Sequence, residues 1–171
     1  MKRKGFTLVE LLIVIVVIGI LSAMMMLSST EAVTSAKASN IVSNLRNMKT
    51  AVLAYVADHV DDFNSTKQLQ LSTHDILPYL RKAETIGTDE KIEGYWVINK
   101  DGVLYVACDL GNASICANDS EKTAVRNKLI GRAKTTGLKF ADKADKTTLT
   151  NLADTITTSD TTHYFAVMWV R

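Results

Sequence analysis

The chain has 171 residues, of which 47% are hydrophobic, 22% charged and 6% aromatic, with a formal net charge of +2. That balance excludes intrinsic disorder, a collagen-like repeat, a cysteine-dense miniature scaffold and a strongly basic nucleic-acid binder. A chain of this length can bury a real core, in one domain with an appendage.

The apolar content is concentrated at the front. From Phe6 to Leu27 the only polar side chains are Thr7, Glu10 and Ser22. A helix over that stretch would be roughly 33 Å long at about 1.5 Å per residue, matching a hydrocarbon core of about 30 Å. Lys2, Arg3 and Lys4 precede it, and the positive-inside rule then holds the N-terminus in the cytoplasm and sends the body across the membrane. A cleavable secretory signal fits less well, because the stretch is too long and no small-x-small site closes it.

Between Ile20 and Ile86 there is no glycine and one proline, Pro78, so nothing forces a helix to stop at the membrane surface. Ile41, Leu45, Met48, Val52, Tyr55 or Val56, and Val60 recur at spacings of three and four, one apolar stripe of an amphipathic helix. The opposite face carries Asn40, Ser43, Asn44, Asn47, Thr50, Ala51, Ala54 and Asp58. A single helix from Phe6 to about Val60 is expected, roughly 80 Å long. Ser28 and Glu31 have capping-box spacing that would allow a break there; a solvated continuation of one helix is the simpler reading.

Further along, a short helix is expected around Thr73 to Lys82. Tyr95 to Asn99 and Val103 to Cys108, joined across Lys100, Asp101 and Gly102, predict a β-hairpin. A further helix runs from Asn118 to about Thr135, with Asn118 and Glu121 at capping-box spacing. The threonine-dense Thr147 to Thr162 reads as a surface loop with a weak helical stretch around Leu149 to Ile156. His163 to Val170 is apolar on both faces, as a central or covered strand would be. The fold class is therefore α+β, a long N-terminal helix packed against a small antiparallel sheet.

The string Gly5-Phe6-Thr7-Leu8-Val9-Glu10-Leu11-Leu12-Ile13-Val14 resembles the prepilin signature of type IV pilins and of type II secretion pseudopilins. The resemblance covers about Lys2 to Leu53. It implies cleavage after Gly5 by a prepilin peptidase, methylation of the new Phe6 amine by the same enzyme, delivery to an inner-membrane assembly platform, and growth of a helical homopolymer outside the cell. It divides the chain into a leader (1–5), a membrane and assembly half of the helix (6–29) and a head (30–171). Gly19 matches a glycine at which such helices can loosen in the filament, whereas the proline often found eight residues later is replaced by Leu27.

Glu10 carries an independent physical argument. A carboxylate inside a bilayer helix is expensive and is functional by default, with a partner to be named. The positive amino group of Phe6 on a neighbouring subunit is that partner, exposed only after Met1 to Gly5 are removed. Removing the leader also takes away three positive charges, changing the side-chain total from +2 to −1.

Cys108 and Cys116 are the only cysteines and lie on the extracytoplasmic side, so a disulfide closing the Asp109 to Ile115 loop is expected. Asp58, His59, Asp61 and Asp62 read as a solvated acidic turn, and His74 and His163 as structural. The cations Lys122, Arg126, Lys128, Arg132, Lys134 and Lys139 are diluted by nearby acids, so nucleic acid is not the expected partner. Three glycosylation-type triplets, at Asn64, Asn112 and Asn118, match by chance in a Ser/Thr-rich chain. No catalytic constellation, metal-ligand spacing or cofactor motif is present in the sequence.

The function expected is a structural subunit of a type IV pilus. The alternatives are a pseudopilin of a secretion or competence system and a membrane-anchored binding protein. Processing gives the first test. The mature chain should begin at a methylated Phe6, and Gly5→Leu should leave a full-length membrane precursor; normal processing of that variant would defeat the assignment.

Overall fold

The computed structural model describes residues 6–59, 73–80, 94–100, 103–144, 149–153, 156 and 163–170. Its first element is one helix, α1 (Leu8–Asp58), 51 residues long. At about 1.5 Å per residue it extends roughly 76 Å. It runs without interruption past Ser28 and Glu31, so the break allowed by their spacing does not form.

The outer half of α1 is held by the expected stripe. Ile41, Leu45, Met48, Val52 and Val56 are all buried in one cluster, and Tyr55 packs against it half-buried; Val60 lies outside the described residues. Ala38, Val42 and Ala51 are buried with them, which corrects the assignment of Ala51 to the solvent face. A helix lying across a sheet buries a broad stripe, and an alanine at its edge lets the backbone approach closely.

After a short 3-10 helix (Thr73–Tyr79), strands β1 (Tyr95–Lys100) and β2 (Val103–Asp109) pair antiparallel, with Tyr95 opposite Cys108 and Lys100 opposite Val103. Their register agrees with the hairpin expected; Asp101 and Gly102 lie outside the described residues. Helix α2 (Asp119–Thr136) follows, and Gly137, with φ of 71°, ends it in the left-handed conformation that glycine adopts without penalty. The chain then enters β3 (Leu138–Ala141), and later β6 (Phe165–Trp169) lies between β2 and β3. The sheet order is β1-β2-β6-β3, so the terminal apolar strand is central, as its two apolar faces require.

Side chains alternate between the two faces of this sheet. One face, with Val97, Val106, Cys108, Phe140, Ala166 and Met168, packs on α1 and on Val125 and Leu129 of α2. The other carries a smaller cluster of Ile98, Ala107, Ala141, Phe165 and Val167, joined by Leu149.

Leu149 departs from expectation. Leu149–Thr150 form a strand, β5, paired with β4 (Lys143–Ala144), and Ala153 bridges Phe140, in place of the weak helical stretch read from Leu149 to Ile156. Burying Leu149 under the sheet and donating the Lys100 ammonium to its carbonyl at 3.1 Å outweigh a marginal helical preference among β-branched threonines.

The stripe is the main attachment of the head to its stalk. In a fragment beginning at Thr30, Leu45→Ala should cost about 2 to 4 kcal/mol, and Val52→Ala somewhat less. Denaturant melting measures this, and an unchanged midpoint would mean that the stripe does not hold the head.

Candidate functional site

Among the residues singled out from the sequence, Phe6 and Glu10 lie at the exposed start of α1, and Gly5 lies outside the described residues. From Phe6 to Met25 no large apolar side chain is less than 48% exposed. Among the described residues nothing covers this half of the helix, which is apolar and long enough to cross a membrane. Withdrawing each such side chain from water is worth about 1.5 to 3 kcal/mol, so leaving the row exposed is costly. Gly19 sits within this stretch, where an added Cβ would meet no atom within 4 Å. Its small size therefore serves no contact with the described residues.

The carboxylate has a local structure that the sequence reading overlooked. Thr7 caps α1. The Glu10 amide donates to Thr7 Oγ1 at 3.2 Å, while the Thr7 amide and hydroxyl donate to Glu10 Oε2 at 2.9 and 2.7 Å. This is a capping box, and the Thr-x-x-Glu spacing at residues 7 to 10 was the signal for it. Both its halves act on Glu10: the cap holds the carboxylate at the first turn of α1, close to the positive end of the helix dipole and beside the Phe6 backbone. Two donors to one oxygen also reduce the cost of carrying the charge in an apolar setting.

Cys108 and Cys116 are both free thiols in this structure. They belong to the same core cluster. Burial pushes both thiols up from their ordinary range, which keeps them neutral and slow to exchange. Cys108 is instead part of a polar relay. Asn44 Nδ2 on α1 donates to the Tyr95 hydroxyl at 3.1 Å, and Tyr95 hydrogen-bonds to the Cys108 side chain. Burial raises the Tyr95 hydroxyl as well, so it stays protonated and can donate. The relay pins α1 to β1 and β2 through a residue, Asn44, that the stripe pattern placed on the far face.

The remaining candidates are structural. His163 Nδ1 lies 3.2 Å from Asp142 Oδ1, and Asn151, at a φ of 50°, donates to the other Asp142 oxygen, tying the excursion after β3 to the entry of β6. His59 stacks on Tyr55 with ring centroids 4.2 Å apart; Asp61, Asp62 and Asn64 lie outside the described residues. Asn112 Oδ1 accepts from the Ser114 amide, and Asn118 Oδ1 caps α2 by accepting from the Glu121 amide at 2.8 Å. Glu121 reaches past the cap residue to the Ala117 amide. The cations of α2 do not form one stripe: Arg126 is buried, Lys122 pairs with Asp119 and lies over the Tyr164 ring, and Arg132 donates to Ser35 and Ser39.

The thiols give a test of the core. In the folded protein both should resist alkylation until denaturant is added, and Cys108→Ala should destabilise by about 1 to 3 kcal/mol through lost packing and a stranded Tyr95 hydroxyl. Mass spectrometry of alkylated and non-reduced protein reads this out; peptides found linked in place of two protected thiols would restore the bridge.

Residues 1–26 match the family model described as the prokaryotic N-terminal methylation motif. No curated protein and no solved structure matches the chain. The matched segment contains the Gly5-Phe6 junction, Thr7, Glu10 and most of the exposed apolar helix. The N-terminus of this chain therefore carries the methylation signature of type IV pilins and pseudopilins.

Proposed function

We propose that this protein is a structural subunit of an extracellular type IV pilus, cut after Gly5, methylated at Phe6 and assembled through its N-terminal helix. The observation that carries the reading is Glu10: the only charged residue between Phe6 and Thr30, set in an apolar helix that its own head leaves bare. A passive anchor gains nothing from such a charge. An assembling helix does, because each incoming Phe6 amine needs a counter-charge inside the bundle.

The capping box supports this role. Thr7 occupies Glu10 Oε2 and holds the carboxylate at the first turn, so the group is oriented before a neighbour arrives. The neighbour's ammonium brings up to three donors and meets a carboxylate with acceptor capacity to spare. The head then occupies the outside of the filament, and the bare halves of α1 cover one another in its centre. The inner-membrane platform and the peptidase are the partners this sequence of events requires, and no chemistry of catalysis is assigned to the chain itself.

Glu10→Val tests the proposal. Insertion depends on apolar length and on Lys2, Arg3 and Lys4, so the variant should enter membranes at least as well as the parent and be cut after Gly5. Few or no filaments should be recovered by shearing, and co-expression with the parent should restore partial incorporation. A parental yield of filaments from the variant alone would remove the charge-pairing account.

A further inference from the structure

Met1, Lys2, Arg3 and Lys4 are all strong helix formers, with no glycine or proline among them. A helix could therefore reach back into the leader, yet α1 begins at Leu8, and Phe6 and Thr7 are not helical. The Thr7 backbone is extended, with φ of −81° and ψ of 149°. Its side chain enforces the stop. In a helix continued backwards, the Glu10 amide would donate to the Phe6 carbonyl, four residues earlier. Here Thr7 Oγ1 takes that amide at 3.2 Å, and the next amide along, that of Leu11, donates to the Thr7 carbonyl at 3.3 Å. The Thr7 amide is held at the same time by Glu10 Oε2 at 2.9 Å. One hydroxyl thus decides whether the Phe6 carbonyl is tied into a helix or left open.

An independent finding says what uses an open chain at this point. The methylation motif matched by residues 1–26 contains the Gly5-Phe6 junction and implies processing by a prepilin peptidase. Enzymes that cut peptide bonds take hold of the main chain on both sides of the bond, through N–H and C=O groups that a helix has already paired internally. The residues just past the junction must therefore be unpaired. The 51 residues that follow Thr7 form one continuous helix, so the boundary has to fall within a residue or two of the cut.

We propose that Thr7 is a positioning residue for the cut: its cap ends α1 just past the Gly5-Phe6 bond and presents Phe6 to the peptidase with its carbonyl free. The inference rests on the processing reading above. The step is a hydrolysis, in which water adds across the amide and leaves a carboxylate on Gly5 and an amine on Phe6 that takes up a proton. Gly5 works in the same direction, because glycine is a poor helix former and discourages a helix from passing through the junction. The amide of residue 10 that Thr7 Oγ1 captures belongs to the backbone and is present whatever side chain stands there. The two partners of the capping box therefore divide the work, the Thr7 hydroxyl serving the cut and the Glu10 charge serving assembly.

The test follows cleavage of the full-length precursor by the host's prepilin peptidase in lipid and detergent micelles, with mass spectrometry reading the loss of Met1 to Gly5. Thr7 is exposed and far along α1 from the head, so changes there leave the folded head alone. Thr7→Val keeps the shape of the side chain and removes the hydroxyl, whereas Thr7→Asn changes the shape and keeps a capping oxygen. Thr7→Val should lower kcat/KM about fivefold, the equivalent of one cap of about 1 kcal/mol. Thr7→Asn and Thr7→Ser should match the parent. The loss should fall on KM with kcat unchanged, because fewer precursors offer an open end while those that bind react as before. Thr7→Val cut as efficiently as the parent overturns the proposal. So does the reverse order, valine tolerated and asparagine not, which would mean that the peptidase reads the shape of the side chain. A wild-type precursor left uncut between Gly5 and Phe6 defeats the processing reading and this inference with it. A wild type cut there, with Thr7→Val cut equally well, defeats this inference alone.

Discussion

The structure depends on one helix that has to satisfy two solvents. Over its outer half, α1 buries Ile41, Leu45, Met48, Val52 and Val56 against the sheet, a dry contact inside one molecule. Over its inner half every large apolar side chain among the described residues is bare. No proline or cap interrupts the 51 residues between the two regimes, so whatever covers the inner half also fixes where the head stands. A continuous hydrogen-bonded helix transmits position with little loss, and for that reason the absence of a break at Ser28 to Glu31 matters more than the identity of any residue there.

A charge inside the bare half would be a defect in a helix whose only task was anchoring. The Thr7–Glu10 capping box holds it in place at the first turn. The helix start satisfies an orphan amide and its own side-chain hydroxyl with the same carboxylate, which lowers the cost of the charge and limits its orientation. Pre-organisation of this kind is what an interaction between identical subunits needs, because every copy must offer the same group in the same place. In the function proposed, cleavage after Gly5 is the trigger, since it creates the cation and removes the three basic side chains Lys2, Arg3 and Lys4.

The head is built so that its polar links converge on the helix. The Asn44–Tyr95–Cys108 relay and the Arg132 contacts to Ser35 and Ser39 all tie α1 to elements far away in the chain. Each is modest, and each orders a different part: the relay sets the β1–β2 hairpin, and Arg132 sets α2 across the stalk. The same crossing of α2 over α1 leaves a groove lined by Glu31 and Lys128. The smaller cluster on the other face of the sheet, with Leu149 beneath Val167 and Phe165, lets a four-stranded sheet exclude water on both sides.

The sequence alone determined the membrane-length segment, the long helix with its stripe, the hairpin, the position of α2 and the centrality of the last strand, because each rests on local periodicity, capping or turn chemistry. It also carried the methylation signature, which is read along the chain and needs no fold to be recognised. Tertiary structure decided the rest. β3 is four residues following directly on a helix, too short for a period to register, and it exists because β6 offers it an edge. Leu149 became a strand residue because the lower face of the sheet had room for it. Ala51 and Asn44 left the solvent face because the width of a buried stripe is set by the surface it meets, which a helix sequence does not contain. Cys108 met Tyr95, a residue brought opposite it by hairpin register. Contacts between residues distant in sequence are paid for by the packing of the whole chain, and only the folded molecule records which of them were made.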